Sequence, residues 1–494
     1  MKNNIKRGVP ETQQTALQAD ENEEGRDTPL RFRREPTRNR MGTEAPGGLI
    51  IKMGLPMMLS MILQALYNVI DTMFVINMGE GGATGNLALS AAFPVQILMI
   101  AVGVGTGVGI NALLSKNLGE GNKKNVDKTA GNGLFLLAAF YLLFLLFGLF
   151  AAKPYMRLMS KDESVREAGA TYLRVCCCLS VGALGFAVAE RFLIATGKTF
   201  YSMIAQVTGA LTNIVLDYVF IYPMGAGVAG AAYATVIGQI VSLAIALIFH
   251  YAINKEIGND IRNVRPDGKI LRSIYKIGFP ALLMQGMLSL MMFGVLLIIG
   301  TIKDGYTAAL LTGSYGIYYK LMQVALFAAF GLSNTLITVI SYNYGKRDYA
   351  RVKSLVKYGV AYSVAVALTV TALFQIFAGP VSRLFALSLE ESAVVSKNDV
   401  IETCRLSLRI ATLGYAFMGF SVAAQGVLQG LGEEFSPLLI SALRLLAFVL
   451  PVAYLFTLSD DVVSLFWWTF PVAETLTAAI SFFILTSTLK KRLK

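Results

Sequence analysis

Twelve stretches of this chain are each long and apolar enough to cross a lipid bilayer. They cover residues 50–77, 87–114, 131–151, 168–194, 201–222, 228–253, 275–300, 311–338, 355–378, 404–430, 436–457 and 463–488. A spanning helix needs roughly 20 apolar residues at about 1.5 Å rise each. No water is available in hydrocarbon to satisfy backbone N–H and C=O groups, so a spanning segment must be a helix or part of a closed barrel. Runs of this length predict helices. Of the 494 residues 55% are hydrophobic and only 15% charged, whereas soluble domains carry about 25% charged residues. The composition excludes a soluble multi-domain enzyme and predicts an all-α polytopic membrane protein.

The remaining residues fit that frame. Residues 1–46 are rich in Arg, Glu, Gln and Asn and carry Pro10, Pro29, Pro36 and Pro46. Such a segment buries too little apolar surface to order itself, and no apolar core follows its first basic residues as a secretory signal requires. It reads as a disordered basic tail. With the N-terminus inside, the inner loops and C-terminal tail hold 18 Lys and Arg against 7 in the outer loops, so the positive-inside rule predicts that both termini are cytoplasmic. The net charge of +12 lies where membrane topology places it, with no basic patch interleaved with aromatics, and does not predict nucleic-acid binding. Cys176, Cys177, Cys178 and Cys404 form no CxxC pair, and one His in the whole chain offers no zinc site. No cofactor is expected.

The chain also repeats. Lys52-Met-Gly-Leu-Pro56 at the start of span 1 returns as Lys276-Ile-Gly-Phe-Pro280 at the start of span 7. Ser115-Lys-Asn-Leu-Gly119 returns as Ser341-Tyr-Asn-Tyr-Gly345, and Gly197 before span 5 corresponds to Gly432 before span 11. This predicts an N-terminal six-helix lobe over 47–253, a basic cytoplasmic linker over 254–274, and a C-terminal lobe over 275–494. Six is even, so both halves insert the same way up, related by an axis along the membrane normal. Two such lobes enclose a cavity at their interface, the layout of an alternating-access transporter.

Span 1 contains the costliest residue. In KMGLPMMLSMILQALYNVIDTMFV, Asp71 shares a helix face with Asn68 and Gln64 by three- and four-residue spacing. A carboxylate at the centre of the bilayer costs about 2.5–3.5 kcal/mol by insertion scales. Span 5 carries Asn213 and Asp217 one turn apart, with Asp217 in its outer third as Asp71 is in span 1. Thr235 lies about eight residues into span 6, at a matching depth. Two carboxylates, an amide carbonyl and a hydroxyl suit a small hard cation, or a proton shared between acids. The bland reading is that Asp217 pairs locally, but no Lys or Arg lies at that depth in spans 1, 5 or 6.

The phrases TGKTFYSMI before span 5, NIVLDYVF within it and GVAGAAYATVIGQ in span 6 resemble the MATE (multidrug and toxic compound extrusion) transporters. GIYYKLMQVALFAAFGLSNTLITVISYNYG in the second half resembles their prokaryotic, DinF-like branch. The resemblance covers roughly residues 48–488. It implies a twelve-helix, two-lobe exporter of cationic or amphipathic compounds, driven by inward movement of Na+ or H+. It implies a cation site on Asp71, Asn213, Asp217 and Thr235, with Na+ as the metal where the coupling ion is not a proton. The repeat positions of the two aspartates are Val295 and Val452, so the site is expected once. Family members that couple through carboxylates in spans 7 and 10 have no counterpart here, since this chain carries none in those spans. A multi-pass protein of the plasma membrane, probing lipid and small organic cations and acting as a monomer, is the expectation.

The second half has its own intramembrane ions, Lys320, Arg444 and Glu474. Glu474 either pairs structurally with Arg444 or Lys320 or lines a substrate path and attracts cations. Glu190 and Arg191 read as a pair at the inner membrane interface. Gly225, Gly227 and Gly230 spell GxGxxG, but no acidic residue follows about 20 positions on, as a dinucleotide site needs; they read as helix-packing glycines. The rival function is a flippase for lipid-linked saccharides, which would line its cavity with basic residues such as Lys320 and Arg444. A membrane enzyme finds no nucleophile–base or metal constellation here.

Overall fold

The computed structural model describes residues 39–76, 82–258, 260–386 and 395–493. Its helices are α1 (Pro46–Ile76), α2 (Gly82–Gly119), α3 (Lys123–Met159), α4 (Glu163–Cys178), α5 (Val181–Ala195), α6 (Thr199–Ile221), α7 (Gly227–Ile253), α8 (Gly268–Ile299), α9 (Gly305–Gly345), α10 (Tyr349–Ala386), α11 (Lys397–Gly430), α12 (Phe435–Thr457) and α13 (Val462–Arg492). Among the described residues eleven of these are long and apolar enough to cross a membrane, and α4 with α5, bent by 41°, makes a twelfth. The protein is thus an all-α polytopic membrane protein with the span order expected from hydropathy.

Helix ends differ from the hydropathy limits. Span 8, expected over 311–338, lies in the 41-residue α9. Span 4, expected as one run over 168–194, breaks between Cys178 and Val181. Hydropathy marks where a helix leaves hydrocarbon, whereas the helix itself stops where capping groups satisfy its first amides. Asp304 and Asp267 cap α9 and α8, each accepting from two backbone N–H groups. The caps hold both carboxyls below the usual carboxylate range: Asp304 chiefly through the Thr307 hydroxyl, Asp267 chiefly through Lys128, which donates to it at 3.0 Å.

The repeat is visible in backbone geometry. Gly197 and Gly432 turn the chain into α6 and α12 with φ of 82° and 80°, a left-handed conformation that favours glycine. Gly225 and Gly227, read from sequence as packing residues, instead have φ of 61° and 55° and make the turn between α6 and α7.

The two halves meet along α1, α2 and α5 on one side and α8 and α9 on the other. Backbone touches backbone there. A Cβ at Gly109 would overlap the Ile274 carbonyl, one at Gly119 the Tyr342 carbonyl and one at Gly345 the Lys116 carbonyl, and a Cβ at Gly105 would lie 2.7 Å from the Gly278 carbonyl. Asn111 donates to Thr338 at 3.0 Å, and Arg191 to Asn334 at 3.2 Å. The Glu190–Arg191 pair (3.5 Å) is therefore buried in the seam, not at the membrane interface as its place near the end of a span indicated. All these contacts lie toward the end of the molecule that carries the short basic loops.

Residues 39–45, assigned by composition to the disordered tail, are also ordered at that end. A 3-10 turn, Arg40–Gly42, buries Met41 against Leu336, Val339 and Val352. Asn343 donates to the Met41 carbonyl at 3.0 Å, and Arg351 donates to the carbonyls of Met41 and Glu44. The tail's polar composition hid this turn because only one side chain, Met41, is buried. Residues 1–38 lie outside the described residues. Arg351→Ala removes the clasp and is expected to raise protease sensitivity near position 40 in the folded protein; unchanged cleavage would count against it.

Candidate functional site

The acid cluster is built by three helices of the first half. α6 and α7 pack so closely that Gly238 meets the Asn213 backbone and side chain, while a Cβ at Gly209 would meet Ser242 and the Gly238 carbonyl. Close backbone approach of this kind is what small residues provide between membrane helices. In this antiparallel register Gly238 sits against Asn213. One turn further along α6 is Asp217, and one turn back along α7 is Thr235, so the two share a level. α1 packs on α6 and brings in Asp71. Gly209→Ala is expected to force α6 and α7 apart at a cost of about 1–3 kcal/mol of overpacking, read as a lower melting temperature in detergent; an unchanged melting temperature would mean the helices pack differently.

The carboxyl groups of Asp71 and Asp217 face each other, and Asn213 lies beside Asp217. Asp217 is 0% exposed and Asn213 3%. Yet both Asp217 oxygens, Oδ1 of Asp71 and both polar atoms of the Asn213 side chain make no hydrogen bond. The two acids lie within hydrogen-bonding range of each other, but two carboxylates are both acceptors, so only a proton or a cation between them can join them. Buried polar atoms are paired in the great majority of cases, and an ionised buried carboxylate without a partner is far costlier. Five unsatisfied polar atoms on three neighbouring side chains form an oxygen-rich cradle that suits a small cation or a proton.

Three neighbours of this cradle escaped the sequence reading. Tyr67 lies within electrostatic reach of both aspartates, and Tyr172 and Cys176 within reach of Asp71. Gln96 donates to the Tyr172 hydroxyl at 2.6 Å. Tyr67 sits four residues before Asp71, a spacing that puts both on one face of α1. Nothing in the local pattern marks Tyr172 or Gln96, which come from other helices. Gln64 is half-buried on α1, and the side chain of Asn68 lies outside the described residues.

Of the second-half ions, Arg444 and Glu474 form an ion pair, Nε to Oε1 at 3.0 Å, with both side chains largely buried. Val295, at the repeat position of Asp71, is fully buried. A π-helical turn over Leu443–Ala447 inserts one extra residue into α12, so the position matching Asp217 moves from Val452 to Ala453. Both are apolar, so at these positions the second half carries no counterpart of the aspartate pair.

The architecture and the acid cluster define a class: a polytopic membrane protein of two repeated halves, with a buried pair of aspartates in the first. The MatE family model matches residues 56–219 and 280–455, one match in each half, and the chain belongs to that family, whose members are transporters and not enzymes. It is 25% identical over 435 residues to the multidrug export protein MepA of Staphylococcus saprophyticus, covering 87% of this chain and 91% of that one. It is 27% identical over 420 residues to the probable multidrug resistance protein NorM of Thermotoga maritima, covering 82% and 84%. Its fold matches an outward-facing multidrug resistance MATE transporter of the MOP superfamily with a TM-score of 0.84 at 24% identity, over 93% of this chain and 99% of that one. A MATE structure in complex with MaL6 matches with a TM-score of 0.83 at 25% identity, over 92% and 99%.

Proposed function

We propose that this protein is a cation-coupled antiporter that exports cationic or amphipathic organic compounds, with Asp71, Asn213, Asp217 and Thr235 as the site where Na+ or H+ couples. The observation that carries this reading is the pair of neighbouring, buried carboxyls whose oxygens no protein donor satisfies. Relatives named as multidrug exporters supply the substrate class. Two carboxylates so placed cannot both stay charged cheaply without a cation between them, so Na+ and a proton compete for one site. Filling it neutralises the pair and lets α1, α6 and α7 repack, which reshapes the wall of the first half. A ligand shifts such an equilibrium only by its differential affinity for the two states.

The seam contacts support a cycle in which the halves close at the basic end while the cavity between them opens at the other. With the basic end cytoplasmic, that state faces outward, and the protein works as a monomer in the plasma membrane with its lipid as solvent. A cysteine at position 304 in a Cys-free background is then expected to label from outside and one at 124 to stay protected; the reverse pattern would invert the orientation. The flippase reading loses support, because Arg444 is neutralised by Glu474, leaving Lys320 as the one candidate without an ion pair among the described residues. Drug transport in proteoliposomes, with Na+ and pH gradients imposed independently, tests the proposal. Accumulation that follows either gradient supports it, and accumulation indifferent to both refutes it.

A further inference from the structure

The second half encloses a small cavity at the level where the Arg444–Glu474 pair lies. It is lined by Met291, Tyr318, Met418, Phe470, Arg444 and Glu474. Arg444 stands on the π-helical turn of α12, a local departure that often marks functional positions in helices. It is 3% exposed and its Nε lies 3.0 Å from Glu474 Oε1. Glu474 Oε2 has no hydrogen-bond partner. Among the described residues, the other titratable groups within reach of Glu474 are the Tyr318 and Tyr415 phenols, from α9 and α11. From α8 the cavity receives only Met291. By the internal repeat α13 corresponds to α7, so this carboxylate occupies the half opposite the aspartate pair.

We propose that Arg444 is a tethered counter-cation. It fills, permanently and covalently, the role that a mobile ion plays at Asp71 and Asp217, and removing it uncovers Glu474 as a latent site for a proton or a small monovalent cation. The two halves share one architecture, but only one of them leaves its acid without a protein cation. The second half therefore stays neutral through the transport cycle, and only the first half responds to the coupling ion. An aliphatic side chain in place of Arg444 leaves Glu474 facing a cavity with an unsatisfied oxygen and no positive partner, the same situation that Asp217 has in the first half.

The chain has two tryptophans, and one of them, Trp467, is 0% exposed with its ring 5.6 Å from Tyr318. Its emission in a Trp468→Phe parent reports on this cavity. Emission and melting temperature are measured from about pH 5 to about pH 8, with and without Na+, for the parent, Arg444→Met, Arg444→Lys and Arg444→Met/Glu474→Gln. Arg444→Met is expected to gain a response to pH or Na+ beyond the parent's, with acid or Na+ raising its melting temperature. Arg444→Lys and the double variant should behave as the parent does. If Arg444→Met does not fold at neutral pH, the double variant must restore folding, because the uncovered charge is gone. A folded Arg444→Met with the parent's response, a double variant that keeps the new response, or a double variant that fails to rescue folding each overturns the proposal.

Discussion

Asp217→Asn is expected to abolish gradient-driven export while the protein stays folded, inserted and able to bind substrate. Asp71→Asn should do the same. Both oxygens of Asp217 are buried and unsatisfied beside Asp71, so an amide there removes the charge that calls for a cation and keeps the side chain's shape. Coupling free energies between two ligands typically run about 1–3 kcal/mol, or roughly 5–150-fold in affinity. Loss of that amount takes uphill export to background. Drug binding, which on the proposed mechanism does not use the acids themselves, should persist. Each variant should also flatten the pH dependence of Na+ binding, since the remaining acid no longer has a like-charged neighbour competing for one proton. A folded Asp217→Asn protein that still concentrates drug would move the coupling site elsewhere, with Glu474 the next place to look.

The second large effect is expected at the seam. Gly109 and Gly119 let the two halves touch backbone to backbone at the basic end. Leu at either position has no room, because the obstacle is a main-chain carbonyl and not the end of a flexible side chain. Overpacking of this kind costs about 1–3 kcal/mol, and in the proposed alternating-access cycle it falls on only one of the two states. The equilibrium should shift by roughly 5–150-fold toward the state open at the basic end, since every 1.4 kcal/mol or so is tenfold. Export should fall accordingly. A cysteine at Thr338, which is fully buried and accepts from Asn111 across the seam, reports the state in a background without the native cysteines. It should resist labelling in the parent and label from the basic side in Gly109→Leu. Parent-like export together with parent-like labelling would show that the halves do not close on these glycines.

The parts of this architecture that were legible in the sequence are those set by periodicity and solvent. Span number, the repeat and the shared depth of Asp71 and Asp217 follow from apolar run length and from what hydrocarbon tolerates. What stayed hidden depends on neighbours far apart in the chain. Tyr172 and Gln96 join the acid cluster from α4 and α2, and nothing in their own surroundings in sequence marks them. The π turn at Arg444 changes a register by one residue; Pro451, whose missing amide leaves the Ala447 carbonyl without its helical partner, hints at an irregularity there but not at the extra residue. Glu190 and Arg191 looked interfacial because they lie near a span's end; the seam between halves, invisible to hydropathy, buries them. The turn at Arg40–Gly42 was masked by a polar composition that the single buried Met41 barely alters. For Glu474 the sequence offered two readings, and only the position of Arg444 across the cavity separates them.

The central claim is that one charge pair links cation to drug, and drug affinity measured against Na+ concentration and pH tests it most directly. Binding to the purified wild type and to Asp71→Asn/Asp217→Asn would be compared in detergent or nanodiscs. The wild type should lose drug affinity as Na+ or protons rise, by roughly 5–150-fold across saturation if the coupling is of ordinary size, and the double variant should bind drug with an affinity that ignores both. A well-folded double variant whose drug affinity still follows Na+ or pH as the wild type's does would contradict the account.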